Sequence, residues 1–120
     1  MRYKGGKMNS ELIDSISVKE LEQSLKNKNI QLLDVREYQE VEIAYIEGFE
    51  VLPLSEFDNW SSQIQTLFNQ NSETLVICHH GIRSAQVCHW LQKQGFSSVK
   101  NISGGIDAYS VYVDPSIPRY

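Results

Sequence analysis

The part of the sequence with the clearest chemical character is a short run that contains Cys78, His79, His80, Gly81, Ile82, Arg83 and Ser84. The preceding residues, 74–77, are apolar and largely β-branched, which is typical of a buried strand, and a helical pattern opens at Ser84. A strand, a tight loop and a helix N-terminus direct backbone N–H groups and the positive end of a helix dipole to one point. We therefore expect Cys78 to be a thiolate at neutral pH and to act as a nucleophile or a carrier.

The residues that follow Cys78 predict a loop that binds an anion. Gly81 can adopt a positive φ and leaves room for a ligand. A cation in the first turn of a helix interacts unfavourably with the helix dipole. Because Arg83 occupies such a position, we expect a functional role for it, namely binding an oxygen of an anionic substrate. We interpret the rest of the loop as substrate-binding, and this set is His79, His80, Gly81, Ile82, Arg83 and Ser84.

The two histidines beside Cys78 raise the question of a metal site. A zinc site needs convergent ligands at suitable spacing, and adjacent loop histidines do not have that spacing. We predict no metal and no cofactor. His79 and His80 are expected at the rim of the pocket, where they affect the local field or contact an acceptor protein.

Two other positions carry groups that could take part in chemistry. Asp34 and Arg36 follow a predicted strand, and we interpret them as an ion pair or loop anchor that supports the pocket floor, the structural role being favoured. Cys88 lies on the apolar stripe of the helix after the loop, which predicts a packed core thiol.

Composition restricts the class of protein. The chain has 120 residues, 41% of them hydrophobic and 22% charged, which fits one folded domain. We predict a single domain over residues 11–120, preceded by a disordered extension over residues 1–10. The net charge of −4 and the absence of a basic cluster predict no nucleic-acid partner.

The expected location follows from the same data. No apolar stretch is long enough to cross a bilayer, and the N-terminus lacks the apolar core of a signal peptide. Two cysteines without a signal peptide fit a reducing setting better than a disulfide framework. We predict a cytoplasmic monomer with no membrane partner.

The order of the predicted elements indicates the fold class. Strands are predicted over residues 12–16, 30–35, 51–54, 74–77 and 99–102, and helices over 17–26, 37–44, 55–69, 84–94 and 105–109. Ser17 and Glu20 form a predicted capping box, and Gly95 a predicted left-handed helix stop. Strands that alternate with helices over short connections predict an α/β domain with a mainly parallel central sheet flanked by helices.

The sequence resembles the rhodanese (thiosulfate sulfurtransferase) domain in its small single-domain form. The resemblance runs from about Ser15 to Tyr109 and rests on three motifs in order: Leu32-Leu33-Asp34-Val35-Arg36-Glu37, Cys78-His79-His80-Gly81-Ile82-Arg83-Ser84 and Asn101-Ile102-Ser103-Gly104-Gly105-Ile106-Asp107-Ala108-Tyr109. One stretch departs from the family pattern, Ala-His-Ile-x-Gly-Ala. Tyr45 here takes the place of its histidine and Phe49 the place of its last small residue, so local packing is expected to differ there.

The resemblance implies a three-layer rhodanese-like fold and a defined activity. In the family, the cysteine that matches Cys78 takes the outer sulfur of thiosulfate, releases sulfite and holds a persulfide. A second nucleophile then removes the sulfur. The expected partners are a small anionic sulfur donor and a cyanide, thiol or protein acceptor.

Two alternatives remain open at the level of sequence. Phosphatases and arsenate reductases of related fold use a Cys/Arg loop with one more residue between the two, whereas four residues separate Cys78 from Arg83. A rhodanese-like sulfur-carrier or regulatory binding module is the other alternative, although non-catalytic members typically lack the cysteine.

Overall fold

Five parallel strands form the centre of the molecule, a computed structural model that describes residues 12–120. The extension predicted for residues 1–10 lies outside that range. The strands are β1 Asp14–Ile16, β2 Gln31–Asp34, β3 Glu50–Val51, β4 Thr74–Ile77 and β5 Val99–Ile102, in the order β1-β5-β4-β2-β3. Every pairing between these described strands is parallel, so the mainly parallel sheet is confirmed.

The register of the sheet decides which residues meet at its carboxyl edge. Asp34 pairs with Ile77, and Val76 pairs with Asn101. The ends of β2, β4 and β5 are therefore level, and Cys78 emerges between its two neighbours. Ligands of open parallel sheets bind at this edge.

Helices cover both faces of the sheet. They are α1 Val18–Ser24, α2 Tyr38–Ile43, α3 Phe57–Trp60, α4 Ile64–Leu67, α5 Ile82–Lys93 and α6 Gly105–Tyr112. Side chains alternate along β4, so Val76 packs in the apolar cluster beneath α3, α4 and α5, whereas Leu75 packs in the cluster beneath α1 and α6. The three-layer architecture is thus confirmed. Within residues 12–120, no helix is both long and apolar enough to span a lipid bilayer.

Local signals that predicted helix ends are confirmed. The Ser17 hydroxyl accepts a hydrogen bond from the Glu20 amide at 3.1 Å, and the Ser17 amide donates to Glu20 Oε1 at 2.8 Å. Gly95, with a φ of 93°, lies directly after the C-cap residue of α5. These contacts lie within a few residues, which is why a sequence pattern predicts them.

The long helix predicted over residues 55–69 is wrong as a single element. The chain instead alternates between 3₁₀ turns, Leu54–Glu56 and Ser61–Gln63, and the short helices α3 and α4. The indole N–H of Trp60 donates to the carbonyl of Pro53 at 2.8 Å, which ties the segment to its own start. Adjacent serines at 61 and 62 favour the irregular turn, since serine competes for backbone hydrogen bonds.

Three smaller boundary predictions also need correction. The strand predicted over residues 51–54 is only Glu50–Val51, because Pro53 cannot donate to a ladder and Leu54 begins a 3₁₀ turn. The helix after the loop begins at Ile82 rather than Ser84, because Gly81 with a φ of 101° already occupies its N-cap position. The last helix continues to Tyr112 rather than ending at Tyr109. At the departing motif, Tyr45 is exposed and lines an open cavity of about 650 Å³, while Phe49 packs against the cluster beneath α1 and α6.

Candidate active site

The Cys78 sulfur lies in a cradle of hydrogen-bond donors directly after β4. Its Sγ is 3.1 Å from the Gly81 amide nitrogen, 3.3 Å from the Ser84 amide nitrogen and 3.2 Å from Ser84 Oγ. Cys78 is 1% exposed, so these donors act in a largely dehydrated place. Preorganised donors stabilise negative charge most strongly under such conditions, and the arrangement therefore suits an anionic sulfur.

The backbone of the loop places these donors through Gly81. Its left-handed conformation turns the chain from the strand into α5, so that Ser84 lies in the first helical turn. A Cβ at this position would come within 3.2 Å of the Gly104 amide nitrogen. The loop predicted at residues 78–84 is therefore held by close packing as well as by backbone conformation.

Asn101 fixes the loop from the neighbouring strand. Its Nδ2 donates to the Gly81 carbonyl at 3.0 Å, and its Oδ1 accepts from the Ser84 hydroxyl. Asn101 opens the motif of residues 101–109, but no role was predicted for its side chain. The signal was there, since a buried strand rarely carries an amide unless its polar atoms have partners.

The N-terminus of α6 holds the loop from the other side. The amides of Ile106 and Asp107 donate to the carbonyls of Cys78 and His79 at 3.0 and 3.1 Å. A Cβ on Gly105 would lie 2.5 Å from the Cys78 carbonyl oxygen, closer than real contacts allow. The loop after β4 and the N-terminus of α6 are far apart in sequence, but they pack directly against each other.

Arg83 faces a carboxylate that the sequence analysis did not single out. Its Nη1 and Nη2 donate to Glu40 at 2.7 and 2.9 Å in a two-point ion pair. The Arg83 hydrogen bond is the main reason why the pKa of Glu40 falls from 4.5 to about 2. The pKa of Arg83 is raised, first by Glu40 and to a smaller extent by Cys78, which places the guanidinium within electrostatic range of the sulfur.

Asp34 and Arg36 form an ion pair at the end of β2. Arg36 is fully buried, and its Nη2 donates to Asp34 Oδ2 at 2.7 Å while its Nε is 3.0 Å from Oδ1. The Nη1 of Arg36 donates to the Tyr120 hydroxyl at 3.0 Å. The predicted ion pair is therefore present and buried at the end of β2, and Arg36 makes its outward contact to Tyr120.

The remaining loop residues differ in exposure. Ser84 is fully buried, whereas the Ile82 side chain is 72% exposed. The His79 ring stacks between His80, at 3.9 Å between ring centroids, and Tyr120, at 3.8 Å. Burial, followed by the charge of His80, lowers the pKa of His79.

Three potential metal ligands meet at this rim, because Asp107 joins His79 and His80 with ligand atoms within 4.8 Å of one another. The two imidazoles are stacked at 30°, so their in-plane lone pairs do not converge on one ion. Asp107 is also paired with Arg119 at 2.9 Å. The donor set does not fit a tetrahedral zinc ion, and we place no metal here.

Cys88, the second cysteine, is fully buried on α5 among apolar side chains. Desolvation, with a smaller contribution from Cys78, raises the pKa of its thiol to about 12. The predicted core position of Cys88 is confirmed.

Known proteins share this sequence pattern. The rhodanese-like domain family matches residues 17–111. The chloroplastic rhodanese-like/PpiC domain-containing protein 12 of Arabidopsis thaliana is 48% identical over 114 residues, which cover 92% of this chain and 38% of the relative. The putative sulfur carrier protein YrkF of Bacillus subtilis is 36% identical over 107 residues, covering 86% of this chain and 56% of that protein. The chain thus spans only part of the length of these relatives.

Solved structures share the fold over nearly their whole length. A rhodanese-like domain protein from Staphylococcus aureus superposes with a TM-score of 0.70 at 30% identity, covering 90% of this chain and 99% of that one. The human single-domain sulfurtransferase TSTD1 has a TM-score of 0.70 at 21% identity, a likeness of fold that covers 84% of this chain and 98% of that one. With sequence and architecture in agreement, the chain belongs to the rhodanese-like domain family.

Proposed function

We propose that this chain is a thiosulfate sulfurtransferase (rhodanese) type enzyme. Cys78 takes a sulfane sulfur from thiosulfate or a related anionic donor, holds it as a persulfide and passes it to cyanide, a thiol or a protein acceptor. The observation that carries the proposal is the pair of backbone amides, those of Gly81 and Ser84, directed at Cys78 Sγ, with the Ser84 hydroxyl beside them. Relatives named as a putative sulfur carrier and as an adenylyltransferase and sulfurtransferase support the class of chemistry.

The two displacement steps balance without a cofactor. The Cys78 thiolate forms a bond to the outer sulfur of thiosulfate, and the donor S–S bond breaks with its electron pair leaving on sulfite. Cyanide then attacks the outer sulfur of the persulfide, and the electron pair of that S–S bond returns to Cys78. Negative charge stays on sulfur throughout, which is the charge that the cradle stabilises.

The neighbouring groups have supporting roles in this proposal. Arg83 holds the anionic donor and exchanges part of its contact with Glu40 when the donor arrives. His79, His80, Gly81, Ile82 and Ser84 line the approach, and the buried pair of Asp34 and Arg36 keeps the floor in place. A cytoplasmic monomer belongs to the same proposal, supported by two free thiols, which suit a reducing compartment.

Mass spectrometry after incubation with thiosulfate tests the proposal. We expect the Cys78 peptide to gain one sulfur atom that cyanide removes, with thiocyanate as the product. Failure of the wild-type protein to gain sulfur would contradict catalysis and favour a binding module.

A phosphate-ester assay tests the competing phosphatase or arsenate reductase function. A phosphoryl group has three further oxygens and needs a wider ring of donors than the short loop between Cys78 and Arg83 provides. We expect no useful hydrolysis of p-nitrophenyl phosphate. Efficient hydrolysis that disappears in Cys78→Ser would overturn the sulfurtransferase proposal.

A further inference from the structure

The segment after α6, residues 113–120, returns to the rim of the Cys78 cradle, and we name it the strap. The hydroxyl of Ser110 donates to the carbonyl of Ile117. Arg119 forms a two-point ion pair with Asp107, with Nε–Oδ1 at 2.9 Å and Nη2–Oδ2 at 3.2 Å. The strap is therefore held against α6 at two positions, Ile117 and Arg119. Tyr120, the next residue, then reaches the active-site loop.

Tyr120 contacts one end of that loop directly and is linked to the other end through Glu40. Its ring lies parallel to the ring of His79, at 6° and 3.8 Å between centroids, and His79 directly follows Cys78. Its hydroxyl donates at 2.9 Å to Glu40 Oε1, the oxygen that also accepts from Arg83 at the far end of the loop. The ring therefore bridges the rim of the cradle.

The Tyr120 side chain is held there from three directions. Its hydroxyl accepts from the buried Arg36 and donates to Glu40, while its ring completes a stack of three with His79 and His80. Aromatic stacking and hydrogen bonds to charged groups both stabilise this position of the side chain. Tyr120 therefore lies beside the loop residue that directly follows Cys78, at the rim of a site whose sulfur is only 1% exposed.

We propose that Tyr120 is a specificity-determining residue for sulfur transfer at Cys78, an inference that rests on the proposed function. Its ring narrows the approach, so that the chain uses thiosulfate and discriminates against donors with an aryl group, such as benzenethiosulfonate. Both donors undergo the same reaction. The Cys78 thiolate bonds to the terminal sulfur, and the S–S pair leaves on sulfite in one case and on benzenesulfinate in the other.

The ring and the hydroxyl of Tyr120 have separable effects. Tyr120→Phe keeps the stacked ring and removes the hydrogen bonds to Glu40 and Arg36, whereas Tyr120→Ala removes both. If the ring sets specificity, only the alanine variant changes the preference between donors. A loss of positioning at Glu40 and Arg83 would instead change both donors together and would already be present in the phenylalanine variant.

The experiment measures kcat/KM for thiosulfate and for benzenethiosulfonate, with cyanide as acceptor and thiocyanate as product. We expect the ratio of benzenethiosulfonate to thiosulfate to rise about tenfold in Tyr120→Ala, the lower end of what steric discrimination in a pocket provides, and to stay within about twofold in Tyr120→Phe. Circular dichroism checks that each variant is folded. An unchanged ratio in Tyr120→Ala, or an equal rise in Tyr120→Phe, would overturn the inference.

A second variant keeps the test decisive if Tyr120→Ala does not fold. Tyr120→Trp places a larger ring at the same rim and is expected to lower the ratio below that of the wild-type protein, whereas a ratio at or above the wild-type value contradicts the inference. Failure of the proposed function has a different signature, since the wild-type protein would then form thiocyanate from neither donor.

Discussion

The two cysteines of this chain lie ten residues apart and are almost equally buried, at 1% and 0% exposure. Cys78 directly follows β4 and has two backbone amides directed at its sulfur, with the Ser84 hydroxyl oxygen 3.2 Å away. Cys88 lies in the middle of α5 among apolar side chains, and burial raises its pKa to about 12. Burial is therefore nearly the same for the two thiols, and the groups that face each sulfur are what differ. We expect those groups to decide which thiol is reactive.

Exchange of each cysteine for serine tests this difference most directly. Cys78→Ser is expected to reduce sulfur transfer by on the order of 1,000-fold or more, because a serine hydroxyl is not ionised in the same cradle. Cys88→Ser is the matched control and should retain most activity, although a buried hydroxyl lowers the free energy of unfolding by about 1–3 kcal/mol. Thiocyanate formation measures activity, and urea unfolding measures stability. Substantial turnover by Cys78→Ser would contradict the assignment of Cys78 as the nucleophile.

Alkylation of the native protein compares the two thiols without mutation. A pKa of about 12 leaves roughly one Cys88 in ten thousand ionised at pH 8, so we expect iodoacetamide to modify Cys78 on the order of 100-fold faster. Peptide mapping by mass spectrometry gives the two rates. In urea the rates should converge, and equal rates in the folded protein would contradict the contrast.

A substitution at Gly105 tests the contact between α6 and the loop that holds Cys78. In Gly105→Ala the new Cβ would meet the Cys78 and His79 carbonyl oxygens at 2.5 and 2.4 Å, so the loop must shift. We expect kcat/KM for sulfur transfer to fall by about 10- to 100-fold. Gly48→Ala is the control, since it also has a positive φ but its nearest contact is Leu32 Cδ1 at 3.5 Å. Equal activity losses in both variants would mean that backbone strain from the positive φ, and not the contact with the loop, causes the loss.

Glu40 carries the smallest expected effect, and it reaches the Cys78 loop through Arg83. Its pKa is lowered to about 2, so its contribution to stability is present above pH 4.5 and is lost as the pH falls towards 2. We expect Glu40→Gln to be less stable than the wild-type protein by about 1 kcal/mol at pH 7, a value reduced for the partly exposed pair. Urea unfolding at pH 7 and pH 2.5 measures the difference, which should shrink several-fold at the lower pH. The exposed Glu42→Gln is the control, and a difference that is undiminished at pH 2.5 would contradict the assignment to this ion pair.

The features that were predictable from sequence are those encoded by neighbouring residues. The apolar run before Cys78 predicted β4, and the capping box at Ser17 predicted the start of α1. Gly81 and Gly95 predicted turns that need a positive φ. In each case the interaction that matters lies within one turn or one strand, so a local pattern contains it.

The features that sequence reasoning missed join segments that are far apart in the chain. Glu40 and Arg83 are separated by 43 positions, and Glu40 and Tyr120 by 80. An acidic residue on a short helix looks like any solvated charge until the fold places a guanidinium opposite it. The continuous helix predicted over residues 55–69 failed for a different reason: Trp60 bonds to Pro53 only seven residues earlier, but that bond depends on how the segment packs.

The contact between Gly105 and the loop has a consequence for protein engineering. A designer who moves only residues 78–84 to another parallel sheet would transfer the cysteine and its glycine but leave behind the amides of Ile106 and Asp107 that hold the loop carbonyls. Asn101, which holds Gly81 and Ser84, would be missing too. The smallest portable unit is therefore two adjacent strand–loop–helix segments, β4 with α5 and β5 with α6, moved together with their mutual register.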